Sequence, residues 1–341
     1  MLYIVDLESV ESRYTYYWKT SLPNLFSNNG VYNKTISGTE PVSPPRHGQF
    51  LNFAGTNIYK SEQVQKIATL FEEGKIKPND QFLFTDAWHP GVLNLRYMSD
   101  LTNIPVRIHA LWHAGNYDKN DFLGRLGKTS WLYYTELALF HSCHLNYFAT
   151  QYHRSLFTSV YQVDPHCIVQ TGWPMEYIQK IRSKYVVPTV KDNLVIFPHR
   201  LAPEKQVDVF KEIAKRLPEY EFVICQEKNL TKDQYYDLLG RAKVVFSANL
   251  QETLGISMYE GVVFGATPVV PDYLSYDEMY PPEVKYPASW ILGSEKKIDN
   301  LAKVVDNAVK NYAHLVSLVE KSNPHKFFNA DVLVEKIKEF S

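Results

Sequence analysis

The chain has 341 residues, more than one ordinary domain usually holds, so two domains are expected. It is 45% hydrophobic and 21% charged, the balance of a globular protein, and its formal net charge is −1. That near-neutral charge excludes a global attraction to nucleic acid or to an anionic membrane and leaves only a local basic face for such a partner.

Short apolar runs alternate with helical patterns, which predicts a βαβ, mostly parallel architecture. Strands are predicted at "LYIVD" (2–6), "QFLFTD" (81–86), "VRIHALW" (106–112), "LNYFAT" (145–150) and "CIVQTG" (167–172). After the first strand, Ser12 to Thr15 open a helix that buries Trp18 and Leu22. The tract between Asn28 and Asn57, with "EPVSPPRHGQF" at its centre, predicts a long loop or irregular strands. "KIRSKYVVPTVKDN" has no clean period and carries a Pro, so a linker is expected at 181–193. A second alternation follows: strand 193–199, helix 205–218, strand 220–226, helix 231–242 capped by Thr231, strand 243–249, helix 256–265 ended by Gly265, and strand 267–271. The closing "NADVLVEKIKEF" predicts an amphipathic helix with Asn329 as its cap. The expected organisation is an N-terminal domain over 1–180, a C-terminal domain over 194–322, and a tail over 323–341 that packs back toward the first domain.

The acids of "MLYIVDLESVESRY" argue against a signal peptide, and no apolar run approaches the roughly 18 residues of a membrane span. No transmembrane anchor is therefore expected. Cys143, Cys167 and Cys225 are widely spaced, show no metal-type pairing and fit a reducing, cytoplasmic compartment.

Two βαβ domains are expected to face one another across a cleft, with ligands outside the carboxyl ends of the strands. Just after predicted strand 243–249 stands "QETLGISMYEGVVFGATPVVP". Glu252 falls in the turn before a helix, Gly255 lets the backbone approach a ligand, and the helix start favours a phosphate. Glu260 lies further along that helix and can accept two hydrogen bonds, as from a ribose diol. Two acids eight positions apart also arise by chance, and a capped helix with solvated acids is the plain alternative.

The block "SANLQETLGISMYEGVVFGATPVV" resembles the nucleotide-binding segment of retaining GT-B glycosyltransferases of family 4: Ser247, Glu252, Gly255, Glu260, Gly265, then Pro268-Val269-Val270. "IFPHRLAPEKQVDVFKEIAKRLPEYEFVICQ" is similar to the family's strand, Arg, Lys, helix and next strand, with Arg200 and Lys205 in those places. "DQYYDLLGRAKVVFSAN" matches the helix and strand between them, so the resemblance covers roughly 193–275. The α/β GT-B fold with two Rossmann-like domains is what it implies. It also implies that Arg200 and Lys205 hold the donor diphosphate and support the leaving group, in place of a metal. Glu252 is implied to contact the donor sugar and Glu260 the ribose. Gln226, Glu227 and Lys228 lie where the family holds the base, and the backbone of Thr253, Leu254 and Gly255 lies by the phosphates. The first domain departs from the family: "DLESVESRYTYYW" has no Gly in its first turn, and Arg13 with the helix start stands in as a phosphate contact. His113, in "RIHALWHAGNYD", matches the family's histidine near the anomeric centre. Asp86 and His89, in "LFTDAWHPG", and Asp118 are acceptor-side candidates, with the packing role usual for a lone His as the alternative.

The resemblance implies a retaining glycosyltransferase that moves a sugar from a nucleoside-diphosphate sugar, a UDP-sugar by preference, to a hydroxyl acceptor, with no bound cofactor and no metal. "DLESVESRYTYYW" and "FTDAWHPG" also resemble glycosyltransferases of large bacteriophages. A hydroxymethylated base in phage DNA is then the acceptor to test first, and the host cytoplasm the location. Arg13, Lys19, Lys34, Arg46, Lys60 and Lys66 are the basic residues that would meet such DNA. Cell-surface glycan or lipid acceptors, a nucleotide-sugar 2-epimerase and a non-catalytic nucleotide-sugar-binding module are the competing readings.

Overall fold

The computed structural model describes residues 1–11, 13–41, 43, 51–127 and 129–340. It divides into two compact units: unit 1 is Met1–Ala149, Arg154–Pro174 and Ala330–Ser341, and unit 2 is Thr150–His153 and Met175–Asn329.

In chain order the first elements are β1 (Leu2–Val5), α1 (Tyr14–Asn28), β2 (Asn33–Ile36), α2 (Phe53–Glu72), β3 (Gln81–Phe84), α3 (Pro90–Thr102), β4 (Arg107–Trp112), α4 (Ser130–Ser142), β5 (Leu145–Phe148), α5 (Gln151–Val160) and β6 (Ile168–Gln170). The six strands form one sheet in the order β2-β1-β3-β4-β5-β6, with parallel pairing throughout. β1 and β3 are buried at every position, as expected of strands covered by helices on both faces. The core of unit 1 gathers Phe82, Phe84, Ile108, Trp112, Phe148 and Phe157. The strand order reverses between β1 and β3, so the crevice of this sheet opens after Val5 and after Phe84.

Unit 2 carries α6 (Tyr177–Arg182), β7 (Asp192–Phe197), α7 (Val207–Arg216), β8 (Glu221–Ile224), α8 (Lys232–Arg241), β9 (Ala242–Phe246), α9 (Ile256–Val263), β10 (Thr267–Pro271), α10 (Tyr276–Met279), β11 (Lys285–Tyr286), α11 (Ile298–Lys310) and α12 (Tyr312–Ser322). Its sheet has the order β11-β10-β9-β7-β8, again parallel. Val195, Phe197, Phe210, Val244, Phe246, Leu301 and Val305 are buried in this unit. Here the order reverses between β7 and β9, which places a crevice after Phe197 and after Phe246. The last helix, α13 (Asp331–Lys338), returns to unit 1.

Three sequence expectations change. The tract 28–57 holds β2 and the start of α2; most of "EPVSPPRHGQF", Arg46 included, lies outside the described residues. The expected linker tract yields both its ends to regular structure, Lys180–Arg182 to α6 and Asp192 to β7. Asn329 does not cap α13, whose N-cap is Ala330 with no side-chain bond.

Candidate active site

In unit 2 the crevice between β7 and β9 brings together the residues that the sequence separates. After β7 the chain turns through Pro203–Lys205, and Gln206 adopts a left-handed conformation at φ 50°. That turn directs the Lys205 ammonium to the carbonyl of Gln251 at 2.8 Å and to the Glu252 carboxylate at 3.3 Å. The Asn249 amide donates to the same Glu252 oxygen at 3.3 Å and to the Tyr276 hydroxyl at 3.1 Å. Arg200 forms an ion pair of 2.6 Å with Glu204, which is buried. His199 is buried and hydrogen-bonded through Nδ1 to Ser257 in the first turn of α9. Burial, then the Lys205 and Arg200 charges, hold its pKa well below the usual histidine value, so the imidazole is neutral.

Gly255 opens α9 at φ 88°, and a Cβ there would sit 2.6 Å from the Tyr276 ring. Only glycine fits this left-handed, crowded point. Thr253 and Leu254 bury their side chains beside it; the Leu254 amide donates to Glu252 at 3.5 Å and the Thr253 carbonyl accepts from the Thr150 hydroxyl at 2.9 Å. Glu260 lies one turn on, and Tyr235 on α8 donates to its Oε2 at 2.9 Å. Burial raises the Glu260 pKa above the ordinary value, against the pull of the Tyr235 hydrogen bond. The Gln226 side chain accepts from the backbone of Leu201, so it fixes the loop that carries Arg200.

In unit 1 the crevice between β1 and β3 is filled by a polar network anchored on α2. Lys60 is 5% exposed and donates to Asp86 at 2.7 Å and to the Trp88 carbonyl at 2.6 Å. Burial, the largest single influence, would raise the Asp86 pKa, but the Lys60 charge, the neighbouring His113 and the hydrogen bonds from Lys60 and the Trp88 amide together outweigh it and hold the carboxyl below its usual value. Lys60 therefore leaves the proposed basic face, and Lys19 there is paired with Glu40. His89 accepts from the Gly91 amide at Nδ1 and so donates from Nε2 to Gln63, 2.9 Å away. Buried at 2% exposure, it caps α3. Gln63 in turn donates to Asp6, which also accepts from Tyr59 and Ser37.

His113 donates from Nε2 to the Thr85 carbonyl at 2.6 Å, so its Nδ1 accepts from the Tyr14 hydroxyl at 2.9 Å. The rings of Tyr14, Trp18 and Trp173 surround it at centroid distances of 5.8, 6.1 and 4.2 Å. Burial lowers its pKa. Arg13 occupies the N-cap of α1, with its guanidinium 5.6 Å from the Tyr14 ring centre. Asp118 is buried and accepts from the amide of Asn120, as a turn-forming carboxylate does.

Lys205 and Glu252, expected at separate parts of a donor site, meet directly. The sequence does not mark Glu204, Tyr235, Gln63 and Tyr59 as site residues, and Lys60, expected on a basic face, is instead buried against Asp86; Tyr235, Gln63, Tyr59 and Lys60 have partners remote in sequence. Among the described residues, no group of three or more His, Cys, Asp or Glu side chains is gathered as a metal site, and no helix is long and apolar enough to cross a membrane.

The two parallel sheets with intervening helices define an α/β protein of two Rossmann-like units, and solved structures share that fold. Sucrose-phosphate synthase from Thermosynechococcus elongatus aligns over 99% of this chain and 97% of its own, with a TM-score of 0.65 at 11% identity. A UDP-forming α,α-trehalose-phosphate synthase from Burkholderia xenovorans aligns over 99% and 98%, with a TM-score of 0.63 at 10% identity. TarM of S. aureus, solved with UDP and α-GlcNAc-glycerol, aligns over 82% of this chain and 58% of its own, with a TM-score of 0.55 at 15% identity. No family model matches the chain. Among curated proteins, tRNA-queuosine alpha-mannosyltransferase of Drosophila melanogaster is 28% identical over 151 residues, which are 42% of this chain and 38% of that protein.

Proposed function

We propose that the chain is a retaining glycosyltransferase that moves a sugar from a nucleoside-diphosphate sugar, a UDP-sugar by preference, to a hydroxyl acceptor without a metal ion. The observation that carries this reading is the convergence of Lys205 and Glu252 at the β7/β9 crevice, beside Arg200 and the left-handed Gly255 that opens α9. A guanidinium, an ammonium and a helix start suit a diphosphate whose negative charge grows as it departs. In this reading Arg200 and Lys205 take the diphosphate, Glu252 takes a hydroxyl of the donor sugar, and Glu260, steadied by Tyr235, takes the ribose. The bond from the anomeric carbon to the phosphate oxygen breaks as the acceptor oxygen bonds on the same face. The acceptor proton passes to the departing phosphate. His113 is neutral and engaged at both nitrogens, so it orders Tyr14 and the end of β3 on the acceptor side.

The acceptor we propose is a hydroxyl carried on a modified nucleobase. Trp88 with Trp131, and Phe53 with Phe122, pair near the strand-end loops and helix starts of unit 1; Phe53 and Trp131 are exposed, and aromatic faces stack bases. Hydroxymethylated DNA is the first acceptor to try. The partial likeness to a tRNA-queuosine mannosyltransferase supports a tRNA base as the second.

The test is a thermal-shift screen of nucleoside diphosphates and their sugars, followed by incubation of the stabilising donor with hydroxymethylated DNA and with tRNA in the presence of EDTA. A ligand at 100 times its Kd stabilises by about 2.7 kcal/mol. The expected result is a shift with one nucleotide and a hexose or pentose mass added to one acceptor, with the anomeric configuration of the donor kept. The absence of any shift, or inversion in the product, overturns the reading.

A further inference from the structure

Glu136 is wholly buried on α4 and belongs to none of the roles assigned above. Its Oε1 accepts from the Trp88 indole at 2.8 Å, in the loop after β3, and from the Asn116 backbone amide at 2.7 Å, in the loop after β4. Its Oε2 accepts from the Tyr161 hydroxyl at 2.5 Å. Three elements therefore meet on one carboxylate. Gly115 makes room for it: a Cβ at that position would lie 2.1 Å from Oε1 and 2.8 Å from the Tyr117 ring.

The two loops so joined are the ones that carry Asp86, Trp88 and His89 on one side and His113, Asn116 and Asp118 on the other. Trp88 is itself tied to the Asp86–Lys60 pair, since its amide donates to Asp86 at 3.1 Å and its carbonyl accepts from Lys60. The tie thus runs from Glu136 through Trp88 to Asp86, and through Asn116 to the turn that follows His113. A buried carboxylate held by neutral donors is an expensive way to stabilise a core, because an apolar residue of similar volume fills the space without desolvating a charge. It is an effective way to hold two loops in register, because each of its oxygens accepts more than one bond in a fixed plane.

We propose that Glu136 is a positioning residue that sets the two strand-end loops of unit 1 for the acceptor; this rests on the glycosyltransferase reading above. Misplacement of a reacting group by about 1 Å costs on the order of 100-fold in rate, so the loops need such a tie.

The test compares Glu136→Gln, Glu136→Leu and Trp88→Phe with wild type. The readouts are donor Kd by calorimetry, kcat and acceptor KM, and hydrogen exchange at the amides of 86–89 and 113–118. Glu136→Leu is expected to lower acceptor kcat/KM by about 10- to 100-fold and to leave donor Kd unchanged. Glu136→Gln is expected to recover most of that loss, since its carbonyl keeps Trp88 and Asn116 and the Tyr161 hydroxyl turns to accept. Trp88→Phe breaks a single bond, is expected to fold even where Glu136→Leu does not, and should lower acceptor kcat/KM by about 3- to 10-fold. Folded variants with wild-type acceptor kinetics overturn the proposal. If wild type itself transfers no sugar, the glycosyltransferase reading fails and hydrogen exchange decides for the tie: faster exchange at the amides of 86–89 in the Trp88→Phe protein, with the protection of Asn116 kept in Glu136→Gln, supports it, and unchanged protection of 86–89 in Trp88→Phe overturns it.

Discussion

Lys205 and Glu252 stand 47 positions apart, yet their charged groups meet at 3.3 Å; Lys205 also donates to the Gln251 carbonyl, and Glu252 accepts from the Asn249 side-chain amide. An ammonium held this way is placed before any ligand arrives, which is the condition for stabilising charge that develops only during reaction. Lys205→Ala is accordingly expected to lower kcat by about 100- to 1,000-fold with a smaller effect on donor KM. Glu260→Ala removes a charged acceptor from the ribose and should raise donor KM by about 10- to 100-fold with kcat little changed. Steady-state kinetics of the two variants separates the roles, and an inverted pattern would reject the assignment. Asp6 offers a different residue-level test. Burial pushes its carboxyl up to about 6 from the ordinary 3.8, against the hydrogen bonds from Ser37 and Tyr59. Between those two values the folded state binds more protons than the unfolded state, so this group's contribution to stability falls as pH rises from 4 to 6 and is constant above. Asp6→Asn keeps an oxygen for Tyr59 and Gln63 and does not titrate. Wild type should therefore lose on the order of 2–3 kcal/mol relative to Asp6→Asn between pH 4 and pH 7 in urea titrations. An unchanged gap would show that Asp6 is not protonated in the folded state at pH 4 to 6.

At the scale of elements, what the sequence revealed and what it hid have physical reasons. Strands β1 and β3 to β10 were legible because parallel strands covered on both faces read as continuous apolar runs, as "LYIV" and "LVIF" do, whereas β2 and the two-residue β11 have no such run. Thr231 was legible as a cap, and the structure gives it a full capping box with Gln234. Helix α2 was not legible. Its inward positions recur with helical spacing, but they are Thr56, Tyr59, Lys60, Gln63 and Ile67, so its buried face is mostly polar and leaves no apolar stripe to detect. That polar face is what fills the β1/β3 crevice, and it carries Tyr59 and Gln63, which the sequence did not mark, and Lys60, which was expected to face solvent. In unit 2 the motif around Glu252 was legible because glycine and acid positions are set by backbone geometry. Gly255 gives the sharpest test of this. Gly255→Ala must accommodate both a left-handed backbone and a methyl 2.6 Å from Tyr276, and is expected to destabilise unit 2 by about 1–3 kcal/mol and to abolish the nucleotide-induced thermal shift. Thr231→Ala is the control: a loss of about 1 kcal/mol with the nucleotide shift intact. Equal behaviour of the two variants would mean that Gly255 matters only for stability.

At the scale of the whole molecule, the chain order and the units do not coincide, because the last residues belong to the unit that the first residues build. Leu333, Val334 and Ile337 of α13 are buried, the Ile337 carbonyl accepts from Gln81 at the head of β3, and the Phe340 ring lies 5.3 Å from the Arg107 guanidinium and 5.7 Å from the His109 ring. Burying three aliphatic side chains of this size contributes about 1.5–3 kcal/mol each, which together approaches the 5–15 kcal/mol that usually separates a folded domain from its unfolded chain. A chain ending at Asn329 should therefore lose the cooperative structure of unit 1 while unit 2, which keeps its sheet and its β7/β9 crevice, still binds the donor nucleotide. Hydrogen exchange read by mass spectrometry distinguishes the two. The expected pattern is rapid exchange across β1, β3, β4 and β5, native protection across β7, β9 and β10, and a retained stabilisation of those strands by the nucleotide that stabilises the full chain. Transfer to the acceptor should be lost even though the donor still binds, since Asp86, His113 and Asp118 belong to the unit that has unfolded. Native protection of β1 and β3 in the shortened chain would show that α13 is dispensable to the unit it packs into.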